Sequence, residues 1–351
     1  MVRLDGIINT DDPETYLMHK SELLWEYLNK KTKIGQKLAK SALIVRCKQA
    51  LLETQTPAYL TTYANDDTFL LKRQINYLEY LSQNLKRIIV GKADELSKIV
   101  NETYIILKKD DLFKYNGNEV QPTNFGNFLL AKIFKYTQYR SSTFCRNLYM
   151  EMGFEQAICP YCNNNKIGIV KKELRNIERR SLMLFELDHF YPKSMYPFLA
   201  LSLYNLIPSC HDCNATIKRE KNFTIETHTH PYHESFDDIY KFVVDIQSFQ
   251  NRTTHNLRII KNAIKPHDNS AVDFELEARY QLHQDDINRL INCFMKYQHH
   301  IDSPQEEMFY DYILDIGVTK EKKEILKKVR SKVLRDILLQ MDINNNLGLE
   351  L

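Results

Sequence analysis

Apolar positions recur at helical spacing through most of the first 153 residues. The clearest stripe is Leu71, Ile75, Leu78, Leu81, Leu85 and Ile88, which keeps one face apolar over several turns. Lys72, Arg73, Lys86 and Arg87 decorate that helix. Asp12-Pro13-Glu14 reads as a helix start, an N-cap with proline in the first turn. Leu17, Leu24 and Leu28 follow on one face, with Trp25 beside them. A second helix is predicted over Ile34 to Leu52, ending before Pro57. Gly91 interrupts, and Asp94 to Leu107 continues as helix. Lys108 to Gly126 is polar, with a tight turn at Asn116-Gly117. Helix then resumes from Phe128 through Tyr149.

The pattern changes near residue 154. Ile167 to Val170 and Leu182 to Leu187 read as short strands around a charged segment. Phe242 to Val244 is also strand-like. Helical spacing returns at Gln284 to His300. Ser303-Pro304-Gln305-Glu306 is a capping-box start for the next helix, and Gly317 a stop. Thr319 is read as the cap of a last helix, with Ile325, Val329, Val333 and Ile337 on one face and a basic opposite face. The expected organisation is 1–153 helical, 154–237 a compact unit with strands, and 238–351 mainly helical. The fold class is α+β, mostly helical.

Composition narrows the function only a little. At 351 residues the chain can bury a sizeable core. No apolar run approaches the length of a membrane helix. The N-terminus has no signal-peptide core, so a cytoplasmic protein without a membrane partner is expected. The net charge is only +3, so contact with nucleic acid would be local rather than spread over the surface. The 21 tyrosines could stack on bases, though amphipathic core-edge packing is the favoured reading.

Cysteine spacing says more. Cys159-Pro-Tyr-Cys162 and Cys210-His-Asp-Cys213 are two C-x-x-C pairs, the spacing of a closed tetrahedral zinc site. A redox dithiol or merely buried thiols are the alternatives, and iron is the minor alternative to zinc. Such a site holds a fold and leaves no open position for chemistry. Cys47, Cys145 and Cys293 lie in apolar contexts and read as buried thiols. The histidines of Thr227 to His233 read as incidental to a proline-containing loop, because no acid or cysteine spacing completes a further metal site.

Between the pairs lie Asp188-His189-x-x-Pro192 and Asn205-Leu206, and the second pair continues Cys213-Asn214-x-x-x-Lys218. This ordered set resembles the HNH endonucleases of the ββα-metal type with a four-cysteine zinc site. The resemblance covers only Cys159 to Lys218. It implies a small ββα-metal unit between the helical regions. It also implies His189 as the general base, Asp188 and Asn214 as ligands of a catalytic magnesium or manganese ion, and Asn205 as the loop brace. Lys218 falls where the family often carries a basic residue near phosphate. Two departures from the family pattern stand out: Ser194-Met195-Tyr196-Pro197 replaces a glycine-rich turn, and the last letter is asparagine.

The densest basic segment, Lys171, Lys172, Arg175, Arg179 and Arg180, lies beside this set. Arg179, Arg180 and Lys218 are therefore the expected nucleic-acid contacts, with a solvated hairpin as the alternative. The expected function is metal-dependent hydrolysis of phosphodiester bonds, DNA before RNA. The first rival is a non-catalytic zinc module binding nucleic acid or a partner protein, and the second a protein-interaction scaffold in which the helices dominate and nuclease activity is vestigial. The resemblance extends to effectors of Septu-like antiphage systems, which work with an ATPase partner. This chain has no Gly-x-x-x-x-Gly-Lys loop, so any ATPase would be another chain. The sequence does not fix the oligomeric state.

Overall fold

The computed structural model describes residues 3–8, 10–32, 36–117, 119–174, 177–301 and 303–350, without the side chains of 172–174 and 177–180. More than half of the chain is helical, and the described strands form small antiparallel sheets. The expected α+β class, mostly helical, is what the chain adopts.

The stripe at 71–88 lies on a long helix, Thr68–Val90, that organises the N-terminal part. Asp67 caps it by accepting from the Phe69 and Leu70 amides. Tyr77, Leu78, Leu81, Leu85 and Ile88 are fully or almost fully buried, while Leu71 is only half-buried. Each fully buried side chain of this size is worth roughly 1.5–3 kcal/mol. Pro13–Leu28, Leu43–Glu53, Pro57–Ala64 and Ala93–Ile106 pack around it. Asp12 caps the first of these as expected, accepting from Thr15 N at 3.0 Å.

Three expectations about elements fail for local reasons. The second helix starts at Leu43 rather than Ile34. Residues 36–42 turn back instead, with Lys31 bridging Leu38, and Asn29 Oδ1 takes the Ile44 amide at 2.9 Å. The stretch from Phe128 to Tyr149 is broken: wide i→i+5 turns at Leu129–Phe134 end at Lys135, which sits at φ 48°. Thr319 caps no helix. Its hydroxyl meets Ser331 Oγ at 2.9 Å, tight turns occupy Lys322–Lys327, and the last helix is Ser331–Met341. The basic face expected there is partly consumed internally. Arg335 is 2% exposed and donates to carbonyls of Thr319, Lys320 and Glu350, and Arg330 pairs with Asp286 at 2.6 Å.

Other signals hold. Gly117, at φ 61°, follows the strand Phe113–Asn116, whose partner is Glu119–Pro122. Gly317, at φ 117°, ends the helix Glu306–Ile316, a conformation that favours glycine.

The middle of the chain carries two strand systems. Gln156–Ile158, Lys166–Leu174 and Ile177–Met183 form a three-stranded antiparallel sheet, so the described part of the charged segment is itself strand. Glu186–His189 pairs with Leu206–Ser209, aligning Asp188 with Ile207 and His189 with Leu206. The helical turns Asp212–Lys218 follow. The N-terminal helices support the connecting loop: Ser202 Oγ donates to Ile88 O, and the Tyr77 ring meets Phe198 edge-on at 6.1 Å.

Candidate metal centre and the strand pair beside it

The four cysteines of the two C-x-x-C pairs converge. Their sulfurs all lie within 4.8 Å of one another, and all four residues are buried. Cys162 and Cys210 sulfurs are 3.9 Å apart. Zinc–sulfur bonds of about 2.3 Å in a tetrahedron put sulfurs about 3.8 Å apart, so the cluster fits one ion. Backbone turns set the geometry. Asn163 N donates to Cys159 O at 2.8 Å, and Asn214 N to Cys210 O at 3.1 Å. The Cys210 amide points at Cys159 Sγ, 3.4 Å away, and Arg279 Nη1 at Cys213 Sγ, also 3.4 Å. Donors of this kind offset the charge of a tetrathiolate. Without a cation the thiols must share protons. Burial pushes the Cys159 thiol far up, while bonds from Cys159 and its neighbours pull Cys162 well down.

The first cysteine turn is fastened from the far end of the chain. Asn163 is 3% exposed and sits at φ 48°. Its Nδ2 donates to Ile325 O at 2.8 Å, its Oδ1 accepts from Lys332 N at 2.9 Å, and its carbonyl accepts from Arg330 N at 2.6 Å. Tyr280 OH donates to Cys162 O at 2.6 Å.

The same turn reaches the strand pair through Tyr161, whose hydroxyl donates to Asp188 Oδ2 at 2.6 Å. Alternation along the strand puts Glu186 and Asp188 on one face and His189 on the other. The helical turns cross that face on two rungs. Asn214 Nδ2 donates to Glu186 Oε2 at 2.6 Å, and Lys218 Nζ pairs with Asp188 Oδ1 at 3.0 Å. Asn214 thus bonds Glu186, not Asp188. Lys218 is 1% exposed. Its ammonium also donates to His189 O at 2.8 Å and lies over the Phe223 ring. Glu186 Oε1 meets the exposed His211 at 2.9 Å.

His189 is buried, with Nε2 3.1 Å from Ala200 O and the Tyr136 ring edge-on at 4.5 Å. A carbonyl only accepts, so Nε2 carries the proton and Nδ1 keeps the lone pair. Burial, reinforced by Lys193, pushes the imidazole down to about 3, so it stays neutral near pH 7. Asn205 is fully buried and ties the loop. Its Oδ1 accepts from Tyr191 N at 2.8 Å, and its Nδ2 donates to Tyr191 O and Leu199 O, both at 3.1 Å.

Arg179 and Arg180 lie on the strand Ile177–Met183, but their side chains fall outside the described part. Lys171 is exposed and pairs with Glu155 at 2.7 Å. Glu186 and Tyr161 were not anticipated. Glu186 has a sequence signal, since it stands two residues before Asp188 and so shares its face. Tyr161 has none beyond its place inside the first pair.

Among the described residues no helix is long and apolar enough to cross a membrane. Compared with protein-family models, with curated proteins and with solved structures, the chain matches none.

Proposed function

We propose that residues 154–237 form a nuclease unit of the HNH kind, hydrolysing phosphodiester bonds in nucleic acid, DNA first, on a scaffold held by structural zinc. One observation carries this reading. An antiparallel strand pair ends in Asp188-His189, a buried asparagine braces its loop, helical turns cross its polar face, and the whole rests on a four-thiol cluster. In this reading Cys159, Cys162, Cys210 and Cys213 hold the zinc, which contributes folding energy. His189 accepts the proton of the attacking water at Nδ1, and Asn205 fixes the loop that presents Nε2 with its acceptor.

Glu186, Asp188 and Asn214 offer the oxygen ligands that magnesium or manganese takes. As arranged, Asp188 does not fit a divalent cation, because Lys218 already neutralises it and Tyr161 holds its other oxygen. That ion pair favours the second reading, a zinc module that binds nucleic acid or a protein without cutting. A role in antiphage defence beside an ATPase partner chain, in the cytoplasm, rests on the resemblance of the motif alone.

The test is nicking of supercoiled plasmid by the full chain with magnesium or manganese. The nuclease reading expects nicking that His189→Ala reduces a hundredfold or more, with zinc content unchanged. Nicking at the parent rate in that variant, or none in the parent, would leave the non-catalytic reading.

A further inference from the structure

Arg46 stands apart from the other buried cations of this chain. It lies in the first turns of the helix Leu43–Glu53 and is 9% exposed. Lys20, Lys218, Lys332 and Arg335, buried to a similar degree, each have a carboxylate or several carbonyls. Arg46 has neither among the described residues, and its Nε lacks any partner. Burial alone acts on its guanidinium, pulling its pKa down with no nearby anion to oppose the shift. The adjacent Cys47 thiol is pushed up to about 12 by burial, and the Tyr139 phenol is also pushed far up, so neither supplies a negative charge. A desolvated cation without a counter-charge is expensive to hold. It persists where a ligand supplies the missing charge.

The surroundings suit one. Arg46 lines a cavity of about 240 Å³ together with Lys30, Lys135, Ser41, Tyr27 and Gln138, and among the described residues no carboxylate lines it. Ala42, the residue before the helix, also lines the cavity, while the first turn of the helix is capped from outside by Asn29, which takes the Ile44 amide. Lys135 is held at φ 48° where the wide turns of Leu129–Phe134 stop. Wide turns and left-handed non-glycine residues concentrate at functional sites. Lys30 Nζ lies over the Tyr27 ring, 4.1 Å from its centroid. The cavity is smaller than the roughly 300–1,000 Å³ of drug-sized sites, which suits a compact ligand.

We infer that this cavity in the N-terminal helical region is an anion site that takes the phosphate group of a small ligand such as a mononucleotide, with Arg46 as its buried anchor and Lys30 and Lys135 at its mouth. The inference is independent of the nuclease reading, since it uses none of those residues.

The test titrates the full chain by calorimetry, without added divalent cation, with pyrophosphate, adenosine 5′-monophosphate, adenosine and a short DNA duplex. Pyrophosphate and the monophosphate should bind at one per chain, and adenosine should not. Arg46→Met should weaken both at least tenfold while melting at the same temperature or higher, because it removes an uncompensated buried charge. Lys135→Ala, on the rim, should weaken them less and serves as the second variant. No binding of either phosphate at millimolar concentration would overturn the inference. So would binding that survives Arg46→Met, or equal binding of adenosine. An Arg46-dependent site that takes only the duplex would overturn the small ligand and assign the cavity to a nucleic-acid backbone.

Discussion

Replacing Lys218 with methionine tests the most consequential contact in the strand pair. The substitution keeps the length of the stem and removes the ammonium 3.0 Å from Asp188 Oδ1, where the two side chains are 1% and 3% exposed. Asp188 is then left as a buried carboxylate with Tyr161 as its remaining donor. Removing one partner of a buried pair costs about 3–5 kcal/mol. Taking about 3 kcal/mol per molar urea, the unfolding midpoint should fall by ~1–1.7 M. Urea titration followed by tryptophan and far-ultraviolet signals reads this, and a second transition would mark local unfolding of the unit. Asp188→Asn in the same background removes the stranded charge and should recover much of the loss, so the two changes should be strongly non-additive. Lys218→Met also releases Asp188 Oδ1 for a divalent cation, while Tyr161 keeps Oδ2. Manganese at a hundred times its Kd for that variant would then add about 2.7 kcal/mol. A single variant within ~0.5 kcal/mol of the parent, the usual range of surface changes, would refute the pairing. Additive effects of the two substitutions would do the same.

Two further outcomes are expected. Purified protein should carry about one zinc per chain, and Cys210→Ser should lose the zinc and most of its cooperative unfolding, since structural zinc binding is folding energy; metal analysis with undiminished zinc and stability would contradict the cluster. His230 is fully buried and held down to about 3, chiefly by burial and then by His233, against about 6.5 unfolded. Its contribution is therefore complete above about pH 6.5 and is lost as pH falls toward 3, at about 1.4 kcal/mol per unit. Urea midpoints from pH 7 to 4 should fall less steeply in His230→Phe than in the parent, and equal slopes would remove His230 as the cause.

What the sequence revealed depended on how local the signal was. The cysteine pairs were legible because two short turns each dictate where two sulfurs go, and only their meeting required the fold. The Thr68–Val90 helix was legible because its stripe is long and its packing is one-sided. The start at Leu43 was not, because the capping oxygen comes from Asn29, outside the helix. Broken helices after Phe128 and Thr319 keep apolar spacing across the break, so periodicity reads straight through Lys135 and Arg330, both at positive φ. Within the candidate site, chain order suggested Asp188 with Asn214. The pairing on the two rungs depends on how the wide turns of Asp212–Lys218 phase their side chains, which no spacing rule reports. A basic residue reads as a surface residue by default, and Lys218, Lys332 and Arg335 show how far a lysine or arginine can be drawn inside when carboxylates or carbonyls await it.

The seat of Asn163 has a temporal consequence. All four thiols have been synthesised once residue 213 is made, yet the carbonyls and amides that fasten the first cysteine turn come from Ile325 to Lys332. At about 5–20 residues per second, roughly 6–24 s separate the two events on the ribosome. During that interval the cysteine turns can take up an ion but have no floor beneath them. Thiol labelling of chains stalled within that interval should therefore be faster than labelling of the complete chain. Closure of that interval belongs to the segment Ile325 to Lys332, whose arrival fastens the first cysteine turn.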